Sequence, residues 1–388
     1  MIRDPDSFAS FLQSLRRFVR ETLVPAEEEL AQHDAIPASI VAAMGKLGLF
    51  GLSTPEEYGG LGLTMEEEVS AMFELCQTAP AYRALCSINI GSGSQTILKS
   101  GTPAQREKYL RRIASGELIT ALAVTEPEAG SDPASMQATA RREANQSYVL
   151  DGVKCHVSNA PEAGLILIYA RTGVGPQGIS AFLVERGTPG LVVDAPDRKM
   201  GLAGMHSSTV HLRSCHVPAD SLLGGAEGGG LKLALAGIDK ARLNVAAVCV
   251  GLADRLLGDA ARYAMGRKQF GQPIADFQLI QAMLADSNTE LYGARSMTLQ
   301  TAQRRDAGEE VTTGIAACKY FASEALCRIA DRAVQIHGGS GYIRGHAVER
   351  LYRDARLFRL LDGTSQIQQL VIARNLLKRE RERQGVKA

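Results

Sequence analysis

The hydrophobic pattern changes period twice along the 388 residues. In the first third, apolar residues fall three and four apart, as in Phe11, Leu12, Leu15, Phe18, Val19 and Leu23. That spacing predicts a helix over 8–30. Pro37-Ala38-Ser39 opens a second helix through Ile40, Val41, Met44 and Leu47, ending at Gly48. A Gly-rich loop over 55–62 follows, and helices resume from Thr64 to about Gly116. In the middle third the runs become short, apolar and β-branched: 121–125, 147–150, 165–169, 179–184 and 210–212, separated by Gly, Pro, Asn and Asp. This predicts a small antiparallel barrel or sandwich. The Gly-rich segment 224–230 closes it as a joint. Long helical patterns return over about 231–266, 276–307, 311–337 and 347–361, with 365–379 last, and predict a four-helix bundle. The expected class is α+β in three units: helical 1–118, antiparallel β 119–228, and helical 229–388.

Composition narrows the classes of function. The chain is 45% hydrophobic and 22% charged, as globular proteins are, with net charge +1. There is no global basic field to favour nucleic acid. No apolar run approaches the roughly 18 residues that would span a membrane. The start carries Asp4 and Asp6 and no apolar stretch, so it does not read as a secretory signal. Seven scattered cysteines without metal spacing read as reduced thiols, which fits a cytoplasmic setting and no metal site.

Candidate chemistry lies in a few segments. Leu361-Asp362-Gly363-Thr364-Ser365-Gln366-Ile367-Gln368 sets one carboxylate at the end of an apolar helix, directly before a glycine. In Val124-Thr125-Glu126-Pro127-Glu128-Ala129-Gly130-Ser131-Asp132, Gly130 allows close backbone approach to a flat ligand, and Thr125 and Ser131 offer hydrogen bonds. Lys154-Cys155-His156-Val157-Ser158-Asn159 ends a strand. Arg267-Lys268-Gln269-Phe270-Gly271-Gln272-Pro273-Ile274 interrupts a helix, and Gln335-Ile336-His337-Gly338-Gly339-Ser340-Gly341-Tyr342 is a Gly-rich turn. Each alone reads equally well as an ordinary turn or helix end. Asp239 with Arg242, and Tyr82 with Arg83, read equally as charged surface.

Together and in this order, from Phe18 to Leu377, the segments resemble the acyl-CoA dehydrogenases. These flavoenzymes remove a proton from Cα and a hydride from Cβ of an acyl thioester. The resemblance implies FAD, with Leu122, Val124, Thr125, Gly130, Ser131, His156 and Ser158 around the flavin and Thr364 and Gln366 nearby. It implies that Arg267, Phe270, Gln335 and Gly339 reach a neighbouring subunit's cofactor, with Gln269 and Gly338 also binding cofactor, in a homotetramer built as a dimer of dimers. A planar guanidinium such as Arg267 suits a pyrophosphate. Ser131, Asp239, Arg242, Gly363 and Arg374 would serve the substrate, an acyl-CoA or acyl carrier protein thioester. Asp362 would be the catalytic base, where the family normally has Glu. Isovaleryl-type members place their Glu at the position of Ala241, which cannot act as a base.

Two further likenesses refine the substrate. Tyr82-Arg83 and Asn159-Ala160-Pro161 resemble glutaryl-CoA dehydrogenases, whose Arg grips a distal carboxylate. The implied reaction is α,β-dehydrogenation of a short, possibly anionic acyl-CoA, with an electron-transfer flavoprotein as acceptor. His156 stands where the family has Trp. With Asp362, it keeps a redox-neutral desulfinase, an oxygen-using monooxygenase and a non-catalytic flavoprotein scaffold as alternatives.

Overall fold

The computed structural model describes residues 2–385; residue 1 of the first expected unit and 386–388 of the last lie outside that range. Seven helices come first: α1 (Pro5–Phe18), α2 (Glu27–His33), α3 (Ala38–Lys46), α4 (Met65–Leu75), α5 (Pro80–Ile88), α6 (Ser94–Ser100) and α7 (Pro103–Ser115). The helix expected over 8–30 is divided by a wide turn at Val19–Leu23. Thr64 and Thr102 open α4 and α7 with capping boxes, closed by Glu67 and Gln105. These exchanges satisfy amides that a helix start leaves without partners.

The middle strands are β1 (Thr120–Ala123), β2 (Thr139–Arg142), β3 (Tyr148–Ser158), β4 (Leu165–Arg171), β5 (Ile179–Glu185), β6 (Leu191–Val193) and β7 (Ser207–Val217). They join in one seven-stranded sheet. It is mostly antiparallel, but β1 runs parallel to β4 along its whole length, and β2 meets β4 in parallel at Thr139 and Arg171. The antiparallel β-domain expected for the middle third is present, with these two parallel pairings inside it. Both faces of β4 are buried, from Leu165 to Ala170, and its unbroken apolar run is the mark of a strand covered on both sides. β3 and β7 extend well beyond their apolar segments because polar residues alternate along them.

The last third contains α8 (Gly230–Gly266), α9 (Gln278–Asp306), α10 (Thr312–His337), α11 (Ala347–Ala355) and α12 (Ser365–Arg383). α8 is buried almost continuously from Leu243 to Ala253, so it is the bundle's central rod. Buried charges tie the first helices to it. Glu27 of α2 meets Arg350 of α11 at 2.7 Å and Arg255 of α8 at 3.4 Å, and it accepts from Thr78 and the Ala79 amide just before α5. Glu68 of α4 takes Lys240 at 2.8 Å and Asn244 at 2.6 Å, both on α8. Asp354 of α11 accepts the Leu202 amide at 2.6 Å, which pins the sheet domain to the bundle; burial pushes its carboxyl up to about 6.

Candidate functional site

The segment between α11 and α12 is the chemically distinctive turn. α11 gives way to a 3₁₀ turn, Arg356–Arg359, so Asp362 does not end a continuous helix as expected. Asp362 adopts φ +52° and Gly363 φ +92°. Aspartate tolerates the left-handed region better than most residues, and glycine enters it freely. Neighbouring side chains hold the turn's carbonyls. Arg242 Nε donates to the Asp362 oxygen at 2.9 Å. Lys319 Nζ and Gln368 Nε2 donate to the Gly363 oxygen at 2.8 and 3.0 Å. A Cβ on Gly363 would lie 2.7 Å from Gln368 Nε2 and 3.1 Å from Arg242 Nη2, so this grip needs glycine. Thr364 caps α12 by accepting the Ile367 amide. With its carbonyl engaged, the amide of Asp362 donates to no group among the described residues.

The turn's electrostatics set burial against charge. Lost hydration pushes the Asp362 carboxyl above the usual carboxylate range, and nearby Arg83, Lys319 and Arg242 pull it back only in part. Arg242 is paired with Asp239 at 2.8 Å. Neither Arg83 nor Lys319 has a carboxylate within 4 Å among the described residues, and Arg83 Nε is buried without a hydrogen-bond partner. An unpaired guanidinium beneath the surface is costly, which makes its vicinity attractive to an anion. Tyr82, next to it, is fully buried and bonds the Leu23 carbonyl, so that half of the pair is structural. Asn159, buried at the end of β3, donates to the Leu85 carbonyl at 3.0 Å and so ties the sheet to α5 beside Arg83.

The sheet supplies a second wall. The Cys155 amide donates to the Thr125 carbonyl at 2.9 Å, which brings the end of β1 against the end of β3. A bulge between Lys154 and Val157 leaves His156 exposed at φ +55°. Such a bulge re-aims side chains at a strand's end. Leu122, Thr125 and Ser158 are half-buried, Val124 is buried, and Gly130 and Ser131 are exposed on the following loop, with open space around Gly130. Lys154 and Glu126 hold this edge from behind. Both are buried and meet at 2.7 Å; Lys154 also bonds the Val124 carbonyl, and Glu126 accepts the Ala138 amide at 3.0 Å.

A third set lies at the far end of the bundle. Lys268–Gln269 and Gln272–Pro273 form a tight hairpin whose turn residues, Phe270 and Gly271, both have positive φ. It holds Phe270 94% exposed. Tyr263 of α8 stacks on His337 of α10 at 4.2 Å, which brings the C-terminal ends of the two helices together; Arg267, Gln269, Gln335, Gly338 and Gly339 are all exposed there. Arg242 and Arg267 are about 25 residues apart on one helix, or about 37 Å at 1.5 Å per residue. One protomer therefore brings Asp362, Gly363, Asp239, Arg242 and Arg83 together and keeps the Arg267 set distant. Gln366 and Arg374 are exposed on α12, outside the Asp362 cluster.

Sequence reasoning assigned no role to Lys154, Glu126, Lys319 or Gln368. For Lys319 a signal existed: it is one cation on a face otherwise made of Ile315, Cys318, Ala322 and Leu326.

Comparison with known proteins fits this layout. Family models for the acyl-CoA dehydrogenase N-terminal, middle and C-terminal domains match residues 6–117, 121–215 and 228–377. The chain belongs to the acyl-CoA dehydrogenase family. It is an oxidoreductase acting on CH–CH bonds, and the family's cofactor is FAD. An acryloyl-CoA reductase (NADH) of Anaerotignum propionicum is 39% identical over 94% of this chain and 93% of its own length. The butyryl-CoA dehydrogenase structure from Megasphaera elsdenii is 31% identical, with TM-score 0.92 over 97% of this chain and all of that one. A glutaryl-CoA dehydrogenase bound to glutaryl-CoA is 32% identical, also at TM-score 0.92, covering 97% of each chain.

The residues present fit FAD. The sheet edge offers hydroxyls and an unobstructed Gly130 for a flat ring, and Arg267 has no acidic partner among the described residues. Lys154→Met leaves Glu126 buried and unpaired, which should cost about 3–5 kcal/mol and weaken FAD retention. Lys154→Met with Glu126→Gln should regain most of that stability, read by thermal unfolding and flavin content. A double variant no more stable than the single would contradict the pinning role.

Proposed function

We propose that the protein is an FAD-dependent dehydrogenase of a short acyl-CoA carrying a distal anion, with Asp362 as the base for the Cα proton. The observation that carries this reading is the Asp362 turn: a half-buried residue whose carboxyl has lost hydration, on an adaptable loop, with its own amide unused among the described residues and no base available at Ala241. A carboxylate whose pKa is raised by burial is a better proton acceptor near neutral pH than an ordinary one. As the Cα proton leaves, negative charge grows on the thioester oxygen, and the Asp362 amide donates to it. Arg242 keeps that amide aimed by holding the carbonyl of the same residue. Bound FAD supplies the acceptor for the Cβ hydride.

Leu122, Val124, Thr125, Gly130, Ser131, His156 and Ser158 hold the ring in this reading, with Thr364 and Gln366 at its border. Arg267, Gln269, Phe270, Gln335, Gly338 and Gly339 serve the FAD of a second subunit; their distance from Asp362 along α8 and the bare Phe270 hairpin support this. Ser131, Asp239, Arg242, Gly363 and Arg374 line the route of the carrier. The assembly is a dimer of dimers, and the electron acceptor is an electron-transfer flavoprotein. In the opposite direction the protonated Asp362 would return the Cα proton, the sense named for the Anaerotignum relative.

Asp362→Asn keeps the shape and removes the basicity. Anaerobic flavin bleaching by substrate should slow by roughly 10²–10⁴-fold while FAD and thioester still bind. Bleaching at the wild-type rate would sink the base assignment, and product without net bleaching would favour a redox-neutral relative.

Arg83 is the substrate-selecting cation in this reading, supported by its unpaired Nε and by the glutaryl-CoA dehydrogenase likeness. Arg83→Ala should lower kcat/KM for a dicarboxylyl-CoA by about 10–100-fold, the scale of one charge-assisted hydrogen bond. Butyryl-CoA should be affected far less; equal losses on both would mean that Arg83 is structural only.

A further inference from the structure

We propose that Lys319 is a positioning residue for the reaction: its ammonium fixes the Gly363 carbonyl and sets a positive charge beside the turn that carries Asp362. The inference rests on the reading of Asp362 as base. Lys319 is 0% exposed on α10, and its Nζ lies 2.8 Å from the Gly363 oxygen. No carboxylate lies within 4 Å of it among the described residues. Burying an ammonium without a counter-ion costs several kcal/mol, and one carbonyl hydrogen bond could be made by a neutral side chain. Burial pulls the Lys319 ammonium below the usual lysine value, with the Asp362 carboxyl among the groups opposing this, so a lysine at this place calls for an explanation beyond packing.

The charges around the pair leave Lys319 a distinct place. Arg83 from α5, Arg242 from α8 and Lys319 from α10 face Asp362. Cys249, Asp362, Arg242 and Glu324 face Lys319. Burial keeps the Cys249 thiol neutral. Glu324 is committed to Arg359 and Ser365, and Arg242 to Asp239. Arg83 would be neutralised when an anionic acyl chain enters. Lys319 is then the cation still available to Asp362 in the loaded site. Its hydrogen bond restrains the residue after the base, and its charge acts on the base itself.

The test titrates Asp362 directly in the FAD-bound protein, by its carboxyl infrared band identified as the difference from Asp362→Asn. Removing a cation raises a carboxyl pKa. Lys319→Gln and Lys319→Met should therefore move the titration to higher pH by about one unit or more, the effect of one nearby charge, while Lys319→Arg should leave it close to wild type. Flavin reduction separates the two roles. Lys319→Gln, which can still donate to Gly363, should lose less of the plateau rate than Lys319→Met does. Lys319→Met should show the shift and also a lower plateau. If Lys319→Met loses FAD, the Gln and Arg variants carry the comparison. An Asp362 titration unmoved in Lys319→Gln overturns the proposal. Wild-type flavin reduction by Asp362→Asn instead overturns the base reading, while the infrared shift still tests the charge effect of Lys319 by itself.

Discussion

A carboxylate withdrawn from water among three cations is the constraint around which the site is arranged. Burial raises the Asp362 carboxyl above the usual carboxylate range, and Arg83, Lys319 and Arg242 oppose that only in part. The balance depends on distance, because charge interactions in a low-dielectric interior fall steeply with displacement and solvent entry. The three cations come from α5, α10 and α8, so the chemistry of one residue depends on three helices keeping their relative positions. The turn is restrained through its carbonyls, and the Asp362 side chain and amide have no hydrogen-bond partner among the described residues.

The buried ion pairs between the first and last helices acquire their meaning there. Glu27 links α2, the start of α5, α8 and α11, and Glu68 links α4 to α8. Such pairs add little net stability compared with well-packed apolar residues, but breaking one is costly. Their geometric effect is to fix the helices that carry Arg83 and Arg242. Lys154 and Glu126 act in the same way at the sheet edge, and Asn159 closes the gap between that edge and α5.

Much of this was legible in the sequence where local signals agree. The change from helical to strand spacing and back marked the three regions, and Asp362-Gly363 stood out as a carboxylate beside a flexible residue. Parallel pairing of β1 with β4 was not legible, because periodicity reports burial and not partner direction. The split of the first helix at Val19–Leu23 was hidden because its apolar spacing continues across the wide turn. The hairpin at Lys268–Pro273 read as a helix end, since Gly and Pro mark a break but not its shape. Lys319 and Gln368 were passed over because their importance lies in long-range contacts with the turn. Asp362 and His156, the two departures from the family's usual residues, both adopt positive φ. Asp and His are among the residues that enter that region most readily, so each choice also suits its backbone.

The central claim is that Asp362 moves the Cα proton. The most direct measurement is exchange of that proton with solvent deuterium, followed by mass spectrometry of a dicarboxylyl-CoA incubated anaerobically with the FAD-bound protein in heavy water. The account predicts label at Cα in substrate recovered from the wild-type protein and almost none from a variant with an amide at position 362. Equal labelling by both would contradict it.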